Sequence, residues 1–329
     1  MAEKILVLGS NSFSGAHFAA RALRQDFEVA GISRSAEPDP AFLPYTWQPN
    51  SGFQFHRMDI NHDLARIAEF VNSWRPRYVV NFAAQGMVAE SWEAPDQWFR
   101  TNFVSAVALH EVLRRCPFID RFIQISTPEV YGNCPEPVTE DAPLRPTTPY
   151  AVSKAACDMS LQTYHLQYGF PVSFTRAANV YGPGQQLYRI VPRTILTVMK
   201  GGRLPLHGGG RALRSFIYVE DAMDATLSVL LRGRPGCIYH VATERMISIA
   251  ALVQLVCRMM GVEFDAHVEY AEERAGKDSV YALDSSRIRS ELGWRDTVAL
   301  ETGIERTIEW ARRNFELLSR LPMNYEHKP

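Results

Sequence analysis

Cysteine is scarce in this 329-residue chain: five residues, at 116, 134, 157, 237 and 257. None forms a CxxC pair or stands with histidines at metal-ligand spacing, which excludes a zinc ribbon or finger. His207 beside Gly208–Gly210 has no second ligand pattern and reads as a loop residue, so no metal is expected. Scattered thiols, odd in number, follow a start that runs directly into an apolar strand with no signal-peptide core. They give the expectation of reduced cysteines in a cytoplasm. Long hydrophobic runs are missing too, and none reaches the length of a membrane span. Charge of one sign is not in excess, with 35 Lys and Arg against 36 Asp and Glu. No electrostatic footprint for nucleic acid or a membrane surface follows. There is no internal repeat and no low-complexity stretch. The apolar fraction of 46% is that of a globular protein with a full core.

The first half alternates short apolar runs with amphipathic stretches. Residues 5–8, 29–32, 53–58, 78–82, 121–125 and 172–174 read as strands, several apolar throughout, as in parallel strands buried on both faces. Between them, 15–24, 64–74, 97–115 and 150–168 read as helices. Such alternation predicts right-handed βαβ units in a doubly wound α/β sheet. Past Arg176 the texture changes to Gly, Pro and Arg, with one helix at 190–200. Further on come strands at 215–218 and 238–241, and helices at 221–231, 248–260 and 300–314. The expected organisation is a Rossmann portion, 1–176 completed by roughly 212–243, with a smaller substrate portion, 177–211 and 244–329. The loop at 35–52, with four prolines, reads as a crossover lid or a disordered insert.

Gly9-Ser-Asn-Ser12-Phe13-Ser14-Gly15 follows the first strand and opens a helix. The dinucleotide fingerprint has three glycines, and here Ser12 replaces the middle one. A small hydroxyl residue still admits a pyrophosphate at the helix N-terminus and can donate to it. At the end of strand two an acid would select NAD; the chain has Ser33-Arg34-Ser35, and an arginine suits a 2′-phosphate, a lean towards NADP over NAD. Asp59-Ile60 closes strand three, where the aspartate reaches an adenine amino group or serves as a turn or cap residue. Ala83-Ala84-Gln85 closes strand four and leaves room for the cofactor.

Ser126-Thr127-Pro128-Glu129-Val130-Tyr131-Gly132 and Tyr150-Ala-Val-Ser153-Lys154 carry the chemistry. A tyrosine and a lysine four residues apart, downstream of a hydroxyl residue at a strand end, suit hydride transfer to a nicotinamide. Glu129 offers a base for a second proton. Pro128 stands where a side-chain acid would be expected.

These motifs in this order, with Asn81-Phe-Ala-Ala-Gln85, Arg176-Ala-Ala-Asn179-Val-Tyr-Gly-Pro183 and Arg214-Ser-Phe-Ile-Tyr-Val-Glu-Asp221, resemble the extended short-chain dehydrogenase/reductases. The chain looks most like the nucleotide-sugar 4,6-dehydratases, over nearly its whole length. The resemblance implies that Tyr150, its pKa lowered by Lys154 and the nicotinamide charge, takes the sugar C4 hydroxyl proton. Lys154 also holds the nicotinamide ribose, Thr127 bonds the C4 oxygen, and Glu129 removes the C5 proton. Asn102 joins the cofactor set. Asn179, Arg214, Arg189, Val191, Gln85 and Arg274 would hold a nucleotide-diphosphate sugar, with Gln185 to Tyr188 near the base. With no acid at Pro128, Glu129 returns its proton to the leaving hydroxyl, or a water or Cys134 serves. A 4-epimerase, a uronate decarboxylase, a 5,6-dehydratase and a catalytically dead regulatory domain are the alternatives on this scaffold. The resemblance also implies a homodimer through a four-helix interface built from 97–115 and 150–168.

Overall fold

In the computed structural model, residues 2–49, 52–272 and 280–328 are described. Seven strands form the central sheet: β1 (Lys4–Leu8), β2 (Glu28–Ser33), β3 (Phe53–Arg57), β4 (Tyr78–Asn81), β5 (Arg121–Ile125), β7 (Val172–Ala177) and β11 (Ile238–Val241). Their order is β11-β7-β5-β4-β1-β2-β3, every pair parallel. The chain leaves β1 towards β2 and β3, then returns to its other side with β4. That reversal opens a crevice at the carboxyl ends of β1 and β4. The expected doubly wound α/β fold is observed.

Alternate residues of one strand feed two cores. Ile5 and Val7 of β1 pack with α1 (Phe13–Leu23) and α7 (Val219–Arg232). Leu6 and Leu8 pack with α2 (Leu64–Trp74), α4 (Ala106–Leu113) and α5 (Pro149–Tyr168). All four β1 side chains are fully buried, each stabilising the sheet by about 1.5–3 kcal/mol.

Shorter pieces build the second half. β8 (Asn179–Tyr181), β10 (Leu213–Tyr218) and β12 (Met246–Ser248) make a three-stranded sheet. β9 (Leu204–His207) pairs with β13 (Val268–Ala271), and β6 (Cys134–Val138) with β14 (Tyr281–Leu283). Helices α6 (Ile190–Met199), α8 (Ile249–Met260), α9 (Ser286–Leu292), α10 (Leu300–Arg313) and α11 (Phe315–Arg320) complete it. The strand at 215–218 is thus the end of β10, outside the central sheet, and His207 ends a strand rather than lying in a loop.

Two expectations change. The single helix at 97–115 is α3 (Pro95–Phe99), a wider π-type stretch at Arg100–Ser105, then α4. The bulge lets Thr101, Asn102 and Ser105 all face inward. The proline-rich loop is ordered over its described part: two short 3₁₀ turns place Leu43 and Tyr45 in the core, and Trp310 Nε1 donates to the Ala41 carbonyl at 3.0 Å.

Three histidines are buried within this core. Desolvation lowers His17 to about 4, and His110 and His240 to about 3. The unfolded chain therefore binds more protons than the folded one as pH falls below the ordinary histidine value. We expect stability to drop from about pH 6.5 downward, by about 2 kcal/mol per histidine at pH 5. Chemical denaturation at pH 7 and pH 5 checks this; equal midpoints would contradict it.

Candidate active site

The first turn after β1 is built for close approach. Gly9 has φ +80°, and a Cβ there would lie 2.6 Å from the Ala83 backbone nitrogen. A Cβ on Gly15 would lie 2.2 Å from the Gly9 carbonyl oxygen. Ser12 caps α1: its hydroxyl donates to the Gly9 carbonyl at 2.7 Å and accepts from the Gly15 amide at 3.1 Å. That hydroxyl is engaged in the turn, not with a phosphate as the sequence suggested. Gly9, Ser12, Phe13 and Ser14 line a cleft of about 1150 Å³, whereas Gly15 packs behind them. The α1 N-terminus opens on this cleft and suits a pyrophosphate. The cradle fits a dinucleotide. Gly9→Ala is expected to strain this turn by about 1–3 kcal/mol and to yield purified protein with little dinucleotide released on denaturation; a full complement would contradict the fit.

Ser33, Arg34, Asp59, Ile60, Ala83, Ala84 and Gln85 line the same cleft at the ends of β2, β3 and β4. The Asp59 carboxylate accepts from the Asn61 amide at 2.8 Å, as a turn residue does. Asn102 is a correction: it lies outside the cleft lining. Its Oδ1 accepts from the Gln85 amide at 2.7 Å and its Nδ2 donates to the Gln85 carbonyl at 3.0 Å and to Ser153 Oγ at 3.0 Å. It holds the β4 end from behind. The chain's last described residues, which the sequence did not point to, also face the cleft. The His327 ring stacks on buried Trp98 at 4.9 Å, and the Lys328 carbonyl accepts from Gln85 Nε2 at 2.7 Å and from Arg34 at 2.8 Å.

Thr127, Glu129, Tyr150 and Lys154 meet in this cleft. β5 ends at Ile125, and Thr127 caps the 3₁₀ turn Pro128–Tyr131. The Thr127 hydroxyl donates to the Glu129 carboxylate at 3.0 Å. Thr148 caps α5 with Pro149 at its first position, which fixes Tyr150 and Lys154 one turn apart. Lys154 Nζ donates to the Ile125 carbonyl at 2.8 Å, tying α5 to the strand end. The Tyr150 phenol runs against expectation: its pKa is raised, not lowered. Burial is the main cause and the Glu129 charge the second, opposed by the hydrogen bond with Thr127 and the charge of Arg189. Cys134 does not line the cleft; its thiol donates to the Tyr131 carbonyl at 3.6 Å.

Asn179, Arg189, Val191 and Arg214 line the far end, with Gln185 to Tyr188. Arg274 lies outside the described residues. Tyr281 is the residue the sequence reading missed. Its hydroxyl donates to Asn179 Oδ1 at 2.8 Å, and the Arg214 guanidinium sits 4.3 Å over its ring. Burial, then the Glu129 charge, raises its pKa, so it stays a neutral donor. One aromatic in the short Val280–Leu283 run gave no sign of the cleft; only the pairing of β14 with β6 brings it there. This half therefore offers two arginines, an amide and a phenol around one space, a set that suits a diphosphate.

The profile of the GDP-mannose 4,6 dehydratase family matches residues 6–307. The chain belongs to this family. It is 31% identical to the dTDP-glucose 4,6-dehydratase of Xanthomonas campestris pv. campestris, over 94% of this chain and 93% of that one. It is 36% identical to the human dTDP-D-glucose 4,6-dehydratase, over 72% and 69%. Among solved structures, the dTDP-glucose 4,6-dehydratase of Streptomyces venezuelae with NAD bound superposes with a TM-score of 0.89 at 30% identity, covering 95% of this chain and 98% of that one. The UDP-glucose 4-epimerase of Thermotoga maritima, with UDP-glucose, superposes at 0.87 and 26% identity, over 95% and 99%. The family thus shares its scaffold with epimerases, and the side chains at the strand ends must separate them.

Within this family the lean towards NADP finds no support. Arg34 donates to the Lys328 carbonyl, and relatives such as the Streptomyces venezuelae enzyme hold NAD. An arginine at the end of β2 is also an ordinary surface residue, and the sequence alone does not tell the two apart.

Proposed function

We propose that this protein is a nucleotide-diphosphate-sugar 4,6-dehydratase, a hydro-lyase that holds NAD tightly and returns it unchanged. One observation carries the reading: the Glu129 carboxylate lies in the cleft of Thr127, Tyr150 and Lys154, hydrogen-bonded to the Thr127 hydroxyl. An epimerase has no use for that carboxylate.

Bound nicotinamide supplies the hydride acceptor at the first step and the hydride donor at the last. Thr127 bonds the sugar C4 oxygen, and Tyr150 accepts the C4 hydroxyl proton. Positive charge beside the phenol would offset its raised pKa. Once C4 is a ketone, the C5 proton is acidic and Glu129 takes it. Pro128 has no proton to give, so Glu129 delivers the same proton to the C6 oxygen and water leaves from one face. Hydride at C6 and a proton from water at C5, balanced by the proton that Tyr150 took from the C4 hydroxyl and releases to water, then give the 4-keto-6-deoxy sugar. Gly9, Ser12 to Gly15, Ser33, Asp59, Ile60 and Ala83 to Gln85 form the NAD cradle. Asn179, Arg189, Val191, Arg214, Gln85 and, from its place in the sequence, Arg274 hold the nucleotide diphosphate.

By the same reading, 1–176 with 212–243 form the cofactor portion and 177–211 with 244–329 the sugar portion. A homodimer through α5 and the preceding helices fits an exposed apolar stripe: Val152, Met159 and Leu166, seven residues apart, beside Val104. None of the five cysteines forms a disulfide, and no helix among the described residues is long and apolar enough to cross a membrane. Both support placing the enzyme in the cytoplasm.

The test is turnover of a panel of nucleotide sugars in deuterated water. The expected product is lighter by one water and carries deuterium at C5. An isomer of unchanged mass without C5 exchange would select epimerisation, and released carbon dioxide would select decarboxylation.

A further inference from the structure

Behind the turn that carries Thr127 and Glu129 lies a chain of polar side chains, all buried but half-buried Ser126, to which the reaction assigns no step. Asp158 follows Lys154 by one turn of α5 and is 1% exposed, as is Arg176 on β7. One Asp158 carboxylate oxygen accepts from Ser126 Oγ at 2.5 Å and from the Arg176 guanidinium at 2.8 Å. The other arm of Arg176 donates to the Tyr131 hydroxyl. Tyr131 in turn donates to His240 Nε2 at 2.7 Å, and His240 Nδ1 donates to the Asp284 carbonyl at 3.1 Å.

Ser126 and Tyr131 are the two flanks of the turn. Between them stand only Thr127, Pro128, Glu129 and Val130. Asp158 therefore holds the entry of the turn, Arg176 holds its exit, and their ion pair joins the two grips. The charges are out of water, so the pair has few alternative geometries. Other contacts fix the backbone of the turn: Val130 is buried beside Ala155, the Val130 carbonyl accepts from the Arg145 amide at 2.9 Å, and the Glu129 carbonyl accepts from the Gly132 amide at 3.1 Å.

We infer that Asp158, Arg176, Ser126 and Tyr131 form a clamp on the turn that carries Thr127 and Glu129, and that it serves the elimination, which depends on Glu129, more than the C4 oxidation, in which Tyr150 and Lys154 stand outside the turn. These are positioning residues: each bond named runs between protein groups, and Ser126, which lines the cleft, gives its hydroxyl proton to Asp158. The oxidation pair stands outside the turn: Tyr150 and Lys154 ride on α5, the helix that also carries Asp158, and Lys154 has its own tie to the Ile125 carbonyl. This inference rests on the dehydratase reading and gives it a consequence that the fold alone does not: the two chemical steps should be separable from behind the site.

Tyr131→Phe and Ser126→Ala each cut one grip and leave the Asp158–Arg176 pair intact. The experiment compares both with wild type for C4 oxidation in a single turnover, for C5 deuterium uptake and water loss in deuterated water, and for amide hydrogen exchange of residues 126–132. We expect C5 uptake and water loss to fall by roughly 10–100-fold, because a displacement of order 1 Å at a reacting group costs about that much. C4 oxidation should stay within about threefold, and amide exchange of the turn should quicken. A loss of both steps in parallel, or no loss of either, would overturn the clamp. A wild-type enzyme that turns over its sugar without C5 uptake overturns the dehydratase reading itself, and the clamp with it.

Discussion

Glu129→Gln is expected to stop water loss while leaving C4 oxidation in place. The substitution keeps the size of the side chain and an oxygen to accept from the Thr127 hydroxyl, now 3.0 Å from the carboxylate. It removes the only carboxylate that the Thr127–Tyr131 turn offers the cleft. Pro128 cannot replace it, and Cys134 points away to the Tyr131 carbonyl. A positioned base or acid contributes about 10²–10⁴-fold, and here one group does both jobs, so the upper end of that range is expected. The variant should turn the sugar into its 4-keto form and stall there. Single-turnover analysis of the bound sugar, quenched and identified by mass, checks this. Water loss at more than about a tenth of the wild-type rate would mean that another group removes the C5 proton.

Tyr150→Phe is expected to fail one step earlier. The ring is half-buried at the edge of the cleft, so phenylalanine fills the same space and the helix cap at Thr148 is undisturbed. What disappears is the acceptor for the C4 hydroxyl proton. The loss should be about 10²–10⁴-fold in C4 oxidation, with no C5 deuterium uptake, since that proton is not acidic until C4 is a ketone. The two variants therefore differ in kind: one accumulates the ketone and the other never makes it. The raised phenol pKa adds a pH dependence. Burial and the Glu129 charge both disfavour the phenolate, so C4 oxidation should quicken as pH rises, and Glu129→Gln should shift that profile to lower pH by removing the second cause. A pH profile unmoved by Glu129→Gln would contradict the coupling.

The fold was largely legible because its signal is local. Apolar runs such as 5–8 and 78–82 announce strands buried on both faces, and the amphipathic stretches 64–74 and 150–168 announce helices. What escaped depends on contacts between distant segments. The bulge in 97–115 arises where Asn102 turns inward to grip Gln85, a demand no periodicity shows. The proline-rich loop looked like a lid or an insert until Leu43 and Tyr45 were seen in the core. β6 and β14 are short and partly polar, and each exists by pairing with the other across nearly half the chain.

The site divides the same way. Thr127, Glu129, Tyr150 and Lys154 stand in compact motifs, and the structure brings them into one cleft. Ser12 was read as a phosphate donor because the fingerprint gives it that place; the cap on α1 takes its hydroxyl instead. Arg34 was read for charge, without the Lys328 carbonyl that accepts from it. Tyr281 sits alone in a short strand, and its approach to Asn179 and Arg214 is set by the fold of the second half. Asp158 and Arg176 lie inside the motif stretches, yet nothing in their spacing shows that they meet.

The central claim is that one hydride moves from C4 to C6 of the same sugar, with Glu129 removing water in between. Turnover of a nucleotide sugar carrying deuterium at C4 tests it most directly. The label is predicted in the C6 methyl group of a 4-keto product, on the molecule it left. Deuterium returned to C4 of a sugar that has kept its oxygen at C6 would contradict the account.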